Sequence, residues 1–193
     1  MTAGGAAPVR VLGIAGSLRA RSYNRALLRA ACDLAPEGMA IEIFDRVGEL
    51  PLFNPDIPVD SVPTAVALKA EIAAAQAVLF AVPEYNAGIP SPLKNAIEWA
   101  SRPRAATPLR GKPVGMFGAS QGPGGTSRAH AAMRETLYYL AARIQPPPEL
   151  LIARVQDLVD DAGVLRDDDT RAALRDYLLA LRDWALLWRG AGA

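Results

Sequence analysis

Gly13-Ile14-Ala15-Gly16-Ser17-Leu18-Arg19-Ala20-Arg21-Ser22-Tyr23-Asn24 follows directly on the apolar run from Val9 to Leu12. The pattern predicts a strand that opens into a turn of small and polar residues, then a helix with Ala26, Leu27, Ala30, Ala31 and Leu34 on one face. A helix start leaves its first N–H groups without intrahelical acceptors, and the helix dipole favours an anion there. Ser17, Arg19, Ser22 and Asn24 add side-chain donors at the same place, so the stretch reads as a phosphate cradle. Helix capping alone would account for Ser22 or Asn24 but not for the whole set.

Working outward, strand and helix signals alternate. Residues 40–44 predict a second strand, with Ile41 and Ile43 alternating against Glu42. Pro51 and Pro55 break the segment that follows, although Leu52 and Phe53 are too apolar for a fully solvated loop. Ser61 and Pro63 open an alanine-rich helix to about Ala75, and residues 77–82 are nearly all apolar, as a central parallel strand covered on both faces should be. Residues 83–90 form a loop, and Ser91-Pro92 starts a helix running through Ala100. Residues 112–119 predict a fourth strand, 120–125 its exit loop, and about 126–142 a helix. Pro146, Pro147 and Pro148 precede a short fifth strand at 149–152, which belongs at a sheet edge. The last helix starts near Asp168, buries Leu174, Leu178, Leu181, Trp184 and Trp188, and ends at Arg189-Gly190. Five strands alternating with five helices predict one doubly wound α/β domain over residues 1–193, with 1–8 flexible and ligands bound outside the carboxyl ends of the strands.

Composition excludes several classes. The chain has 193 residues and a net charge of +1 with acids and bases interspersed, so no footprint for nucleic acid and no basic membrane-binding stripe is present. The start of the sequence lacks a charged and apolar leader pattern and no apolar run reaches spanning length, which predicts a cytoplasmic protein without membrane association. Cys32, the only cysteine, rules out an intrachain disulfide and a cysteine-built metal site, and its place in the first helix predicts a packed residue. His130 is the only histidine and stands beside alanines on the fourth helix, so neither a metal site nor a catalytic triad is expected.

Three kinds of phosphate loop compete for the opening stretch. A Walker A loop needs a lysine before its terminal hydroxyl residue, and none follows Gly16. A dinucleotide loop needs a middle glycine where the backbone approaches the pyrophosphate; Ala15 stands between Gly13 and Gly16, which leaves Asp45 without a ribose to bind. A flavodoxin-like arrangement, in which one loop wraps a terminal phosphomonoester and two later loops hold a planar ring, matches the three strand-exit loops of this chain.

The G-S-x-R-x-x-S-x-N pattern at 16–24, the loop Pro83-Glu84-Tyr85-Asn86-Ala87-Gly88-Ile89-Pro90, the helix Leu93-Lys94-Asn95-Ala96-Ile97-Glu98-Trp99, and Lys112-Pro113-Val114 leading to Gly118-Ala119-Ser120-Gln121-Gly122 occur in this order. Together they resemble the NADPH-dependent FMN reductase family, which includes quinone, chromate and azo reductases. The resemblance implies a flavodoxin-like fold with a five-stranded parallel sheet in the order 2-1-3-4-5 and helices on both faces. It also implies FMN as cofactor, NADPH or NADH as electron donor, and a small-molecule acceptor such as a quinone. Carried over by motif, Ser17, Arg19, Ser22 and Asn24 would hold the FMN phosphate; Pro83, Glu84, Tyr85, Asn86 and Gly88 would border the ring, with Gly88 keeping the approach open. Ser120, Gly122 and Gly125 would close the far side. Hydride transfer through the flavin asks for no catalytic side chain and no metal; Glu84 and Tyr85 read mainly as loop-shaping and ring-bordering residues, with proton delivery by Tyr85 a minor role at most.

The same resemblance implies a homodimer or homotetramer, with the loop Leu50-Pro51-Leu52-Phe53 facing the partner and Arg128 and Glu149 as subunit contacts. Arg102, after the third helix, and Arg19 or Arg21 are the arginines that could meet the nicotinamide cofactor's phosphates. Two other readings are a flavin reductase that supplies reduced FMN to a partner monooxygenase, and a non-catalytic flavodoxin-like electron carrier or binding domain. Such carriers are usually markedly acidic, whereas this chain is not.

Overall fold

Val9–Ala15 forms β1, and its near-complete burial follows from strands on both sides and helices on both faces. It pairs in parallel with β2 (Met39–Phe44), from Val9 opposite Met39 to Ile14 opposite Phe44, and with β3 (Ala77–Ala81), from Val11 opposite Ala77 to Ala15 opposite Ala81. β3 in turn pairs with β4 (Pro113–Ala119), and both are buried throughout. The computed structural model describes residues 7–189. Most of the N-terminal segment expected to be flexible, and Gly190, therefore lie outside the described residues.

The sheet order is β2-β1-β3-β4-β5, the order implied by the resemblance. Helices α1 (Tyr23–Asp33) and α5 (Asp168–Leu187) cover one face through Leu27, Leu28, Leu174 and Leu178. Helices α2 (Pro63–Ala74), α3 (Ser91–Ala100) and α4 (Ser127–Tyr139) cover the other through Leu68, Leu93, Trp99 and Met133. Side chains of this kind stabilise by roughly 1.5–3 kcal/mol each when fully buried. Cys32 is half-buried; its Sγ–H donates to the Leu28 carbonyl at 3.3 Å, and burial pushes the thiol up, so it behaves as a packed residue. No helix of the described residues is long and apolar enough to cross a membrane.

The far edge departs from the single fifth strand expected at 149–152. Two short strands share that position: β5 (Arg143–Ile144) opposite Pro113 and Val114, and β6 (Leu150–Ile152) opposite Phe117 to Ala119. Pro146 to Pro148 lack N–H donors and cannot continue a ladder between them. The gap on β4 is closed by Tyr177 of α5, whose hydroxyl accepts from Met116 N–H at 2.7 Å and donates to Met116 O at 2.8 Å. Burial holds that phenol protonated far above the ordinary range. α4 ends at Tyr139, earlier than expected, because the chain turns at Ala141 (φ 57°) to enter β5. Trp184 and Trp188 are half-buried rather than core; they meet edge to face at 5.5 Å over this rim, and Trp184 donates to Arg143 O at 2.8 Å.

Candidate functional site

The exit loops of β1, β3 and β4 leave the same edge of the sheet and meet there. Gly16 makes the first meeting possible: a Cβ would lie 2.9 Å from Pro83 Cδ and 3.0 Å from Leu93. Beyond it, Ser22 caps α1 by accepting from Arg25 N–H at 3.3 Å. The N–H groups of Ala20, Arg21, Tyr23 and Asn24 have no acceptor among the described residues. Arg19 makes no ion pair among them, whereas Arg21 is paired with Asp161 at 3.3 Å. A cluster of free donors, a helix N-terminus and an unpaired guanidinium suits a dianionic phosphate. Ser17 is 3% exposed, and its hydroxyl shares a 2.8 Å hydrogen bond with that of Tyr85 from the second loop.

In the second loop, Tyr85 and Gly88 exchange backbone hydrogen bonds of 3.2 and 3.0 Å around Asn86 (φ 49°) and Ala87 (φ 62°). Two successive positive φ angles make a type I′ turn, a conformation costing roughly 1–2 kcal/mol at an alanine. The N–H groups of Asn86 and Ala87 are left without acceptors among the described residues. Gly88 is not crowded, since a Cβ there would meet only Tyr85 O at 3.9 Å. Glu84 borders the cleft, but its carboxylate is turned to α4: it accepts from the Arg128 and Ala129 N–H groups at 3.0 and 3.2 Å and pairs with the Arg128 guanidinium at 2.6 Å. Burial raises its pKa, but these donors at the start of α4 outweigh that and hold the carboxyl below the usual range. Glu84 is thus the anionic cap of α4.

The third loop closes on itself, with Ser120 Oγ donating to Gly125 O at 2.7 Å and Gly125 at φ 58°. Together with Glu84, Asn86, Ala87, Gly122, Gly124 and Arg128 it lines a cavity of about 780 Å³. A smaller cavity of about 130 Å³, bordered by Ser17, Arg19, Ser22, Asn24, Pro83, Tyr85 and Ser120, adjoins the first loop. A phosphomonoester joined to a planar ring fits this pair: free donors and a cation at one end, and at the other a wide cleft of ligand-sized volume edged by backbone.

The structure thus brings all twelve candidate cofactor residues to one edge. Several of them spend their side chains on the protein: Ser22 on the cap of α1, Ser120 on Gly125 O, Ser17 and Tyr85 on each other, Glu84 on α4, and Asn24 on Ala119, with hydrogen bonds of 2.9 and 3.0 Å. Arg102 belongs to neither cavity lining; it sits past the end of α3 with its guanidinium over Phe53, 5.4 Å from the ring centre. Arg128 and Glu149, expected as subunit contacts, pair within the chain, with Glu84 and Arg134 respectively. Tyr23, Gln121 and Ser127 line the cavities without having been singled out. His130 is buried beneath the third loop, and its pKa is driven to about 4 by burial and then by Arg134. Among the described residues no group of three His, Cys, Asp or Glu side chains is placed to hold a metal ion.

Comparison with known proteins gives concordant results. The model of the family described as NADPH-dependent FMN reductase matches residues 9–157. An NAD(P)H-dependent FMN reductase of Pseudomonas aeruginosa is 45% identical over 183 residues, covering 94% of this chain and 98% of its own length. A quinone reductase of Pseudomonas putida is 38% identical over 91% of this chain and 94% of its own. Among solved structures, the flavoenzyme NAD(P)H:(acceptor) oxidoreductase FerB of Paracoccus denitrificans superposes with a TM-score of 0.84 at 31% identity, covering 92% of this chain and 97% of its own.

Proposed function

The chain belongs to the NADPH-dependent FMN reductase family, and on that premise we propose that it is an FMN-dependent NAD(P)H oxidoreductase acting on quinones or similar small acceptors. The observation that carries the reading is the convergence of three loops into one cleft, with free N–H donors and Arg19 at its narrow end. When bound, FMN supplies the redox chemistry, taking a hydride from the nicotinamide and passing two electrons to the acceptor. The protein's own tasks are binding and placement. Ser17, Arg19 and the N–H groups at the start of α1 hold the phosphate. The Ser17–Tyr85 hydrogen bond sets the second loop against the first, and the Asn86–Ala87 turn presents N–H donors to the ring's polar edge.

Glu84 acts one step removed, fixing α4 and with it the floor beneath the third loop. We place the protein in the cytoplasm as a homodimer or homotetramer; the support for self-association is Leu52, 84% exposed beside Phe53, which stacks edge to face on Trp99 at 5.1 Å. Titration of the FMN-free protein with FMN tests the cofactor assignment. Quenching of flavin fluorescence that saturates at one FMN per chain is expected, and an unquenched titration would remove it.

A further inference from the structure

We propose that Asn24 is a positioning residue that ties the ring-side loop after β4 to the phosphate loop, and not a phosphate ligand. In its consequence for flavin binding, this rests on the FMN reading above. The observation itself is independent of any cofactor. Asn24 is the second residue of α1 and only 4% exposed, and both ends of its carboxamide face the backbone of Ala119, the last residue of β4. Nδ2 donates to Ala119 O at 2.9 Å, and Oδ1 accepts from Ala119 N–H at 3.0 Å.

The sheet explains why a carboxamide is needed there. Val82 N–H donates to Phe117 O at 2.8 Å, the last rung between these neighbouring strands. Continued in parallel register, the ladder would next give Ala119 N–H to Val82 O and Glu84 N–H to Ala119 O. The chain leaves the sheet at Pro83 to build the second loop, so those two rungs are missing. A buried N–H and C=O left unpaired would cost about 1–3 kcal/mol each. Asn24 replaces the departed peptide group with one of the same shape and donor pattern. On its other side β4 is already held, since Ser120 N–H donates to Ile152 O at 3.0 Å. Asn24 therefore fixes the start of the 120–125 loop from the side on which the cleft opens, and joins it rigidly to the helix whose N-terminus forms the phosphate cradle. A carboxylate could accept from Ala119 N–H but would face Ala119 O with no donor.

The test compares FMN with riboflavin, which has the ring but no phosphate, on wild type, N24A, N24D and R19A by fluorescence quenching. Loosening the clamp should weaken both flavins by a similar factor, about tenfold or more, while R19A weakens FMN alone. Amide hydrogen exchange on the FMN-free proteins is the second readout. Ala119 N–H should be protected in wild type and N24D, and exposed in N24A. An N24A protein that loses FMN affinity but keeps riboflavin affinity would make Asn24 a phosphate ligand. Unchanged affinities with Ala119 still protected would leave it no role in positioning. If N24A does not fold, isosteric N24D decides the matter through riboflavin alone, since its added carboxylate repels the FMN phosphate in either case: weakened riboflavin binding supports the clamp, and unchanged riboflavin binding overturns it. If wild type binds neither flavin, the functional reading falls while the exchange data still decide the clamp.

Discussion

At the scale of single residues, Arg19 and His130 carry opposite burdens. Arg19 lines the narrow cavity without an ion-pair partner among the described residues, so its guanidinium is available for the phosphate. Arg19→Ala should lower FMN affinity by roughly 1.5–3 kcal/mol, the worth of a charge-assisted hydrogen bond, as read from the dissociation constant, and leave thermal stability nearly unchanged. His130 is buried and its folded pKa of about 4 lies below its ordinary value of 6.5. As pH falls below 6.5, the unfolded chain takes up a proton that the folded chain refuses, so this residue withdraws stability down to about pH 4 and is silent above neutrality. Urea unfolding should show a loss of up to about 2 kcal/mol between pH 7 and pH 5 that is absent in His130→Gln. The cluster of donors after β1 was legible in the sequence because its parts, a glycine, two serines and an arginine, are neighbours along the chain. The inward roles of Asn24 and Glu84 were not, because their partners lie 95 and 44 residues away. Nor could the spacing show that the second loop's positive φ angles fall on Asn86 and Ala87 and spare Gly88.

At the scale of elements, the alternation of apolar runs and amphipathic helices located all five helices and every described strand except Arg143–Ile144, because in a parallel sheet each strand is announced by its own burial. The far edge escaped that logic. Arg143–Ile144 is too short to carry a period, and the pairing of Met116 with Tyr177 is made by a side chain 61 residues further on. Tyr177→Phe removes one hydroxyl that serves two buried backbone groups, and should cost about 1–3 kcal/mol per group left unpaired, with urea unfolding as the measurement. Glu84→Gln keeps the shape of the α4 cap and removes its charge, together with the ion pair to Arg128. We expect a stability loss of about 0.5–2 kcal/mol and faster amide exchange at the start of α4.

At the scale of the whole molecule, the topology decides where the cleft lies. The parallel order β2-β1-β3-β4-β5 gathers three exit loops at one edge. Leu52 tests the proposed self-association: Leu52→Asp should shift sedimentation of the protein toward the monomer while its circular dichroism stays that of the wild type, and an unchanged sedimentation coefficient would remove Leu52 as its support. The central claim, that the cleft holds FMN and passes electrons from a nicotinamide to a small acceptor, is tested most directly by anaerobic titration of the FMN-loaded protein. Addition of NADPH or NADH should bleach the flavin absorbance within the turnover time, and a quinone added afterwards should restore it. A flavin that stays oxidised with both nicotinamides would contradict the account.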